Sequence, residues 1–385
     1  MENKKNILDV VSISGLRVKK FEGERGYLST GDLDFNKISN IELVSYENKP
    51  SRANQNVNVG EVIFAKMKDT KKTLVIDEEN KDIIVSTGFY VLKPSEQILS
   101  KYLYHYLNSD YFLNQKNKLS KGATQCALNN EGLSNITIYM YNLETQKKIV
   151  EVLDKAQELI EKRKKQIEEL DLLVKSKFIE MFGDPITNPK NWERATLDEV
   201  CTFIKDGPHT SPKYVENGIP FVSVNNIIND FWDFSSVKYI SREDYEVFSK
   251  RCKPEKGDIL YTKGGTTGFA KYIDIDIEFC NWVHLAVLKY KKDIINGIFL
   301  TKMLNTNYCY AQSQRYTRGI ANRDLVLSQM KLIKVFLPPL EAQEKYAEFI
   351  KQVDKLKFEM EHSLKELEDN FNSLMQKAFK GELFN

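Results

Sequence analysis

With 385 residues, 42% of them hydrophobic and 29% charged, the chain is long enough for two or three separate cores. Its formal net charge of +2 excludes a nucleic-acid footprint spread over the whole surface, so any such footprint is local. No apolar run reaches the roughly 18 residues of a membrane span, the charged start MENKKNILDV has no signal-peptide stretch, and the five cysteines form no CxxC pair; a cytoplasmic protein with reduced thiols is expected.

In chain order, residues 1–142 read as a mixed α/β globule. Short β-rich runs end in turns (EVIFAK, DIIVS, FYVLK), an amphipathic helix follows in ILSKYLYHYLNS, and a last strand, NITIYM, leads out. Residues 143–182 predict one long helix. Ile149, Leu153, Ala156, Ile160, Ile167, Leu170 and Val174 step by four and three, with Arg163 in the one polar slot. That seam predicts a coiled coil, and forty residues at ~1.5 Å each make a rod of roughly 60 Å. Gly183 and Pro185 stop it. Residues 183–339 repeat the α/β pattern with DILYTK, HLAVLKY, IFLTKMLNTNY and KLIKVFL. Residues 340–385 repeat the helix, with Tyr346, Ile350, Val353, Met360, Leu364, Leu367, Phe371 and Leu374 in the seam, Lys357 in the polar slot and Gly381 as the stop.

The second half restates the first at a fixed offset of 197. LETQKKIVEVL begins at 143 and LEAQEKYAEFI at 340; Gly60 meets Gly257, Lys66 meets Lys263, Gly122 meets Gly319, and Phe182 meets Phe379. Ten of the forty positions from 143 to 182 are identical to their partners. The chain therefore reads as a tandem duplication: globule, helix, globule, helix.

Charge gives the first functional hint. From Ile294 to Arg323 there is no acidic residue, while Lys302, Arg315, Arg318 and Arg323 are all basic. Within it, RYTRG repeats KLSKG from 197 residues earlier, pairing Lys118 with Arg315 and Lys121 with Arg318. Two cations, a hydroxyl and a glycine in one turn suit contact with phosphate. Catalytic motifs are missing. The sole Pro-Pro lies in LPPL, there is no GxGxxG, and KGGTTGFAK lacks the lysine and hydroxyl of a P-loop. No histidine stands at metal-ligand spacing.

Several stretches resemble the specificity subunits of type I restriction–modification systems. They are DGPHTSPKYVENGIPFVSVNNI (206–227), KGDILYTKGGTTGFAKY (256–272), LPPLEAQEKYAEFIKQVDKL (337–356) and AFKGELF in the second half, with GATQCALNNEGLSNITI (122–138) and LETQKKIVEVLDKAQELI (143–160) in the first. Nothing in residues 1–60 matches DGPHTSPKY or GIPF. The resemblance implies two α/β target-recognition domains (1–142 and 183–339) separated by two antiparallel coiled-coil spacer helices (143–182 and 340–385), with pseudo-twofold symmetry. It implies double-stranded DNA as ligand, each domain reading half of a bipartite site. It further implies docking of two modification subunits that methylate adenine, and of restriction subunits, with no membrane involved. The chain itself would do no chemistry and hold no cofactor or metal; S-adenosylmethionine, ATP and magnesium are expected only on the partners.

Within that frame, Lys205, His209, Thr210, Lys213 and Tyr214 form a polar, aromatic-bearing loop suited to base edges in the major groove. Lys263, Thr266 and Thr267 lie on a Gly-rich hairpin, and phosphate contact is expected there, with Lys66 the matching position. Lys118, Lys121, Arg315, Arg318 and Arg323 complete the expected contacts. Arg17, Arg25, Arg52, Gln55 and Asn56 are candidates by residue type alone, and His105 reads as a core histidine. Two rivals stand beside this reading. An enzyme would need a cofactor motif; a coiled-coil adaptor without DNA would show no linked methylation.

Overall fold

The repeated LETQ and LEAQ have a physical reason in their glutamines. In the computed structural model, which describes residues 4–122, 126–228, 231–320 and 322–383, Gln146 and Gln343 are fully buried. Gln146 Oε1 accepts from the Leu99 N–H at 3.0 Å, while its Nε2 donates to the carbonyls of Gln97 and Tyr141. Gln343 makes the same clasp, accepting from the Asn296 N–H at 2.9 Å and donating to Ile294 and Pro338. Each ties the start of a globule's helix to the first turn of a long helix, and a buried amide survives only with such bonds made.

The long helices run Leu143–Phe182 and Leu340–Lys380. Gly183 and Gly381 follow them at φ of 79° and 82°, where a side chain is strained. The chain divides into two units, Met1–Gln166 with Met360–Asn385, and Ile167–Glu359. Each long helix serves both, so this division cuts the helices that the sequence sets apart as segments of their own. Residues 123–125 of GATQCALNNEGLSNITI and Phe384 of AFKGELF lie outside the described residues.

In the first unit, one sheet orders its strands Val11–Ile13, Phe89–Pro94, Val62–Ala65, Thr73–Val75, all antiparallel. A second orders Glu42–Val44, Arg25–Leu28, Ile84–Ser86, Ala53–Asn56, the middle pair being parallel. Val62–Ala65 is buried on both faces. Val62 and Phe64 join the core with Tyr102, Tyr106, Ile149, Leu153 and Phe379, and Ile63 and Ala65 join Leu28, Val85 and Phe89. Alternation by two thus welds sheet to helices on one side and sheet to sheet on the other. The long helices meet within this unit through Lys164 and Glu368, 2.7 Å apart. His105 is 1% exposed, with Nε2 2.7 Å from Asp154 of the first long helix.

The second unit repeats the first sheet of this plan and changes an edge strand of the second, where the parallel pair now lies at the edge. Its first sheet orders Cys201–Asp206, Leu285–Tyr290, Ile259–Thr262, Ala270–Tyr272. Its second orders Tyr214–Val215, Lys238–Ile240, Ile219–Val222, Cys280–Asn281. Phe178, Phe182, Phe299 and Tyr346 form an aromatic knot where the helices meet the globule, and Lys357 reaches Asp171 at 2.7 Å. Each large side chain so buried contributes ~1.5–3 kcal/mol. Arg163, the other polar seam residue, instead bonds Gln166 on its own helix.

Equivalent strands show why the fixed offset fails at the front. Val62–Ala65 matches Ile259–Thr262 at an offset of 197, Arg25–Leu28 matches Ile219–Val222 at 194, and Lys4–Asn6 matches Arg194–Thr196 at 190. Loops of unequal length shift the pairing, so the counterpart of GIPF, around Gly26 and Tyr27, is hidden from an ungapped comparison.

Candidate nucleic-acid interface

In the second unit, the strand Cys201–Asp206 ends on a carboxylate that is 3% exposed. The chain then passes so close to the next sheet that a Cβ on Gly207 would lie 1.9 Å from the Asn281 carbonyl oxygen. Two cations and an imidazole converge on Asp206. Arg251 Nη2 donates to its Oδ1 at 2.6 Å, Lys263 Nζ lies 3.5 Å from Oδ2, and His209 Nε2 lies 3.4 Å from Oδ2. Lys263 also reaches Asp324 at 2.9 Å, and the Asp324 backbone pairs both ways with Arg318. Ion pairs thus join the loop after Asp206 to the Gly-rich hairpin and Asp324, and backbone bonds carry the connection on to the RYTRG turn.

This corrects the expectation for Lys263. It is 5% exposed and spent between two carboxylates, so it has no ammonium face left for phosphate. Thr267 is corrected likewise. It is 2% exposed, its hydroxyl meets Thr317 Oγ1 at 3.0 Å, and its carbonyl accepts from Gln314. Thr266 is exposed. Lys66 is half-buried; its Nζ donates to the Thr87 carbonyl at 2.9 Å and stands 4.4 Å over the Tyr90 ring, and burial lowers its pKa.

The remaining candidates sit on the surface. Lys205, His209, Thr210, Lys213 and Tyr214 are exposed, while Pro208 and Pro212 are buried and fix the loop. Lys205 covers the Phe203 ring at 5.3 Å. Arg315 and Arg318 are exposed with no ion pair among the described residues, and Arg323 is exposed with its guanidinium on Gln314. In the first unit Lys118 is exposed and unpaired among the described residues, but Lys121 is paired to Glu131 at 2.8 Å. Arg25, Gln55 and Asn56 are engaged internally: Arg25 with the Asp82 carbonyl and Asn56, Gln55 with the carbonyls of Ser86 and Phe89.

Beside these ion pairs lies an open cleft of about 620 Å³, walled by Tyr214, Phe221, Asn225, Lys238, Trp282 and His284. Trp282 stands edge-on to Phe221 at 5.4 Å, and Lys238 Nζ lies 4.4 Å over the Tyr214 ring. Burial, with the nearby Lys263 charge, lowers the His284 pKa, so this imidazole is neutral at neutral pH. Sequence reasoning brought Tyr214 to this place and missed Arg251, Asn225, Lys238, Trp282 and His284. Asn225 lay within a quoted motif and His284 opened the quoted strand run HLAVLKY, but none of the five carries a spacing signal, because the sheet brings them together from distant strands. The arrangement offers exposed cations around aromatic and amide groups, which suits phosphates on the rim and bases within reach. Among the described residues, no group of three or more His, Cys, Asp or Glu side chains could hold a metal ion, and no helix is long and apolar enough to cross a membrane.

A family model described as the type I restriction modification DNA specificity domain matches residues 3–170 and again 189–369. The MjaVIII specificity subunit of Methanocaldococcus jannaschii is 25% identical over 364 residues, covering 88% of this chain and 81% of the relative. The EcoKI specificity subunit of Escherichia coli is 21% identical, covering 90% and 80%. Among solved structures, a chain from a study of assembly and conformational transition in a type I R-M system has a TM-score of 0.65 at 21% identity, covering 99% of this chain and 98% of that one. The type I S subunit of M. genitalium has a TM-score of 0.57 at 16% identity, covering 98% and 95%. These two likenesses show the fold.

Proposed function

The chain belongs to the type I restriction–modification DNA specificity family and acts as a specificity subunit in DNA target recognition, and from that premise we propose that each of its units reads one half of a bipartite double-stranded DNA site. What supports this reading above all is that one plan of first sheet and helices occurs twice, each copy closed by its own buried glutamine. Two readers suit a two-part target, and the long helices offer the docking places for two modification subunits and, through them, restriction subunits. The adaptor without DNA, the other reading of the sequence, does not fit a DNA-specificity family model that spans both units.

In this reading the chain contributes recognition and no chemistry. S-adenosylmethionine, ATP and magnesium belong to the partners, and adenine methylation is directed to the site this chain selects. Arg315, Arg318 and Lys118 contact phosphates and supply affinity; the loop from Lys205 to Tyr214 and the cleft beside it face the bases. Recognition domains 1–142 and 183–339, with helices 143–182 and 340–385 between and after them, remain the natural functional division.

The test is co-expression with its modification partner in a host without adenine methylation, followed by mapping of methylated adenines. A two-part motif with a fixed gap is expected, and it disappears when this chain is omitted. Methylation that persists unchanged without the chain would refute the reading.

A further inference from the structure

Two turns at equivalent places in the units share one side-chain bond, from a serine hydroxyl to the residue three positions on, and differ in the residues between. After the strand Ile219–Val222, Ser223 donates its hydroxyl to Asn226 Oδ1 at 2.8 Å. After the equivalent strand Arg25–Leu28, Ser29 donates to Asp32 Oδ2 at 2.6 Å. Asn226 is 3% exposed and engaged at both ends: its Oδ1 also accepts from the Ser223 N–H at 2.8 Å, and its Nδ2 donates to the Asp233 carbonyl at 2.8 Å. Of the two residues between Ser223 and Asn226, Val224 is buried and the third residue of the turn is presented at the surface. In the second unit this residue is Asn225, exposed, on the wall of the aromatic cleft, and with no side-chain hydrogen bond among the described residues. In the first unit it is Gly31, which has no side chain to offer.

We infer that Asn225 is a specificity-determining residue that reads one adenine in the half-site taken by the second unit. The amide carries one donor and one acceptor side by side. In the major groove only adenine presents the complementary pair, the N7 acceptor beside the N6 donor. Several other polar groups at the cleft are less suited. Ser223 and Asn226 are spent on the turn, Lys238 sits on the Tyr214 ring, and Thr266 has a single hydroxyl. The locked turn fixes the backbone from which Asn225 projects, so the side chain starts from a defined place on the cleft wall. Gly31 at the same point of the first unit means that this adenine is read on one side of the target only.

The inference rests on the second unit being a DNA reader, and the experiment separates the two. The complete chain, as wild type, Asn225→Ala and Asn225→Asp, is co-expressed with its modification partner, and methylated sites are mapped and ranked. Asn225→Ala is expected to relax one A·T position in one half-site, with a roughly tenfold to hundredfold loss of discrimination there. Asn225→Asp, an acceptor beside an acceptor, is expected to reject adenine and move preference toward cytosine, whose N4 donates. A melting temperature equal to wild type is expected for both, because the Asn225 side chain makes no hydrogen bond among the described residues. An unchanged motif overturns the inference. So does weakening that is uniform across sequences, which marks a phosphate contact, or a fall in melting temperature, which marks a structural role. Absence of any motif with the wild-type chain would sink the DNA-reader assignment itself.

Discussion

Lys66 and Lys263 occupy the same point of the two units. Each donates its backbone N–H to the facing strand's turn, at Gly88 or His284, and accepts from Leu128 or Leu325. Their side chains then part ways. Lys263 enters a pocket with Asp206 and Asp324. The equivalent positions in the first unit are Gly15, by strand register, and Ala127, by the matching bridge, so no carboxylate waits there. Lys66 turns instead onto the Tyr90 face and a carbonyl. A duplicated backbone thus keeps its hydrogen-bond frame while its ionic interior is rewritten. An identical residue at a matching position is therefore a statement about the frame and not about the contact.

The largest expected effect tests that contrast. Removing one member of a buried ion pair leaves the other uncompensated and costs about 3–5 kcal/mol. Lys263→Met and Asp206→Asn should each lower the stability of the second unit by that order in chemical denaturation. Lys66→Met breaks only a carbonyl bond and a ring contact, and its loss should stay below about 1.5 kcal/mol. Equal losses at the two lysines would show that the carboxylates are not what holds Lys263.

Legibility in the sequence followed from the range of each signal. The long helices were visible because their seam repeats within the sequence, and Ile149, Leu153, Ile350 and Val353 are buried as the period requires. The duplication was visible wherever loop lengths agree. The burial of Lys263 was not, since it depends on Asp206 and Asp324, 57 and 61 residues away in sequence and joined only by the sheet. Arg251 and His284 escaped for the same reason. Gly-rich hairpins near lysines suggest phosphate sites, but a buried carboxylate competes for the same cation and here it wins.

A second effect checks where the units remain alike. Gln146→Ala and Gln343→Ala each orphan one N–H and two carbonyls, and an orphaned buried group costs ~1–3 kcal/mol. Losses of about 2–4 kcal/mol are expected, similar at the two sites. Loss at one site only would show that the clasps have diverged as the lysines have.

The pH response should distinguish the units. Lys116 is 1% exposed, bonded to the carbonyls of Ala65 and Thr70, and burial lowers its pKa to about 8. Its counterpart in the second unit is Ser313. Since the unfolded chain keeps this lysine protonated up to about 10.5, it binds more protons than the folded state between pH 8 and 10.5, so stability gains from this group as pH rises through that window. Denaturation of wild type and Lys116→Met at pH 7.5 and 9.5 measures it: the difference between the two proteins should shift in favour of wild type at the higher pH. A pH-independent difference would mean that Lys116 titrates as an ordinary lysine.

The smallest effect compares the two basic turns. Arg315→Ala with Arg318→Ala removes two surface cations without an ion pair among the described residues, whereas Lys118→Ala with Lys121→Ala removes one such cation and one already paired with Glu131. Phosphate contacts carry affinity and salt dependence but no base information, and each releases about one counterion. The slope of log affinity against log salt should therefore become shallower by roughly two units for the arginine pair and roughly one for the lysine pair. The methylated motif should stay the same in both variants. The measurement is DNA binding by the assembled complex across a salt series. If the arginine variant keeps its slope and changes its motif, the turn reads bases. If the lysine variant loses as much slope as the arginine variant, Glu131 releases Lys121 when DNA binds, and the asymmetry between the turns is a property of the free protein alone.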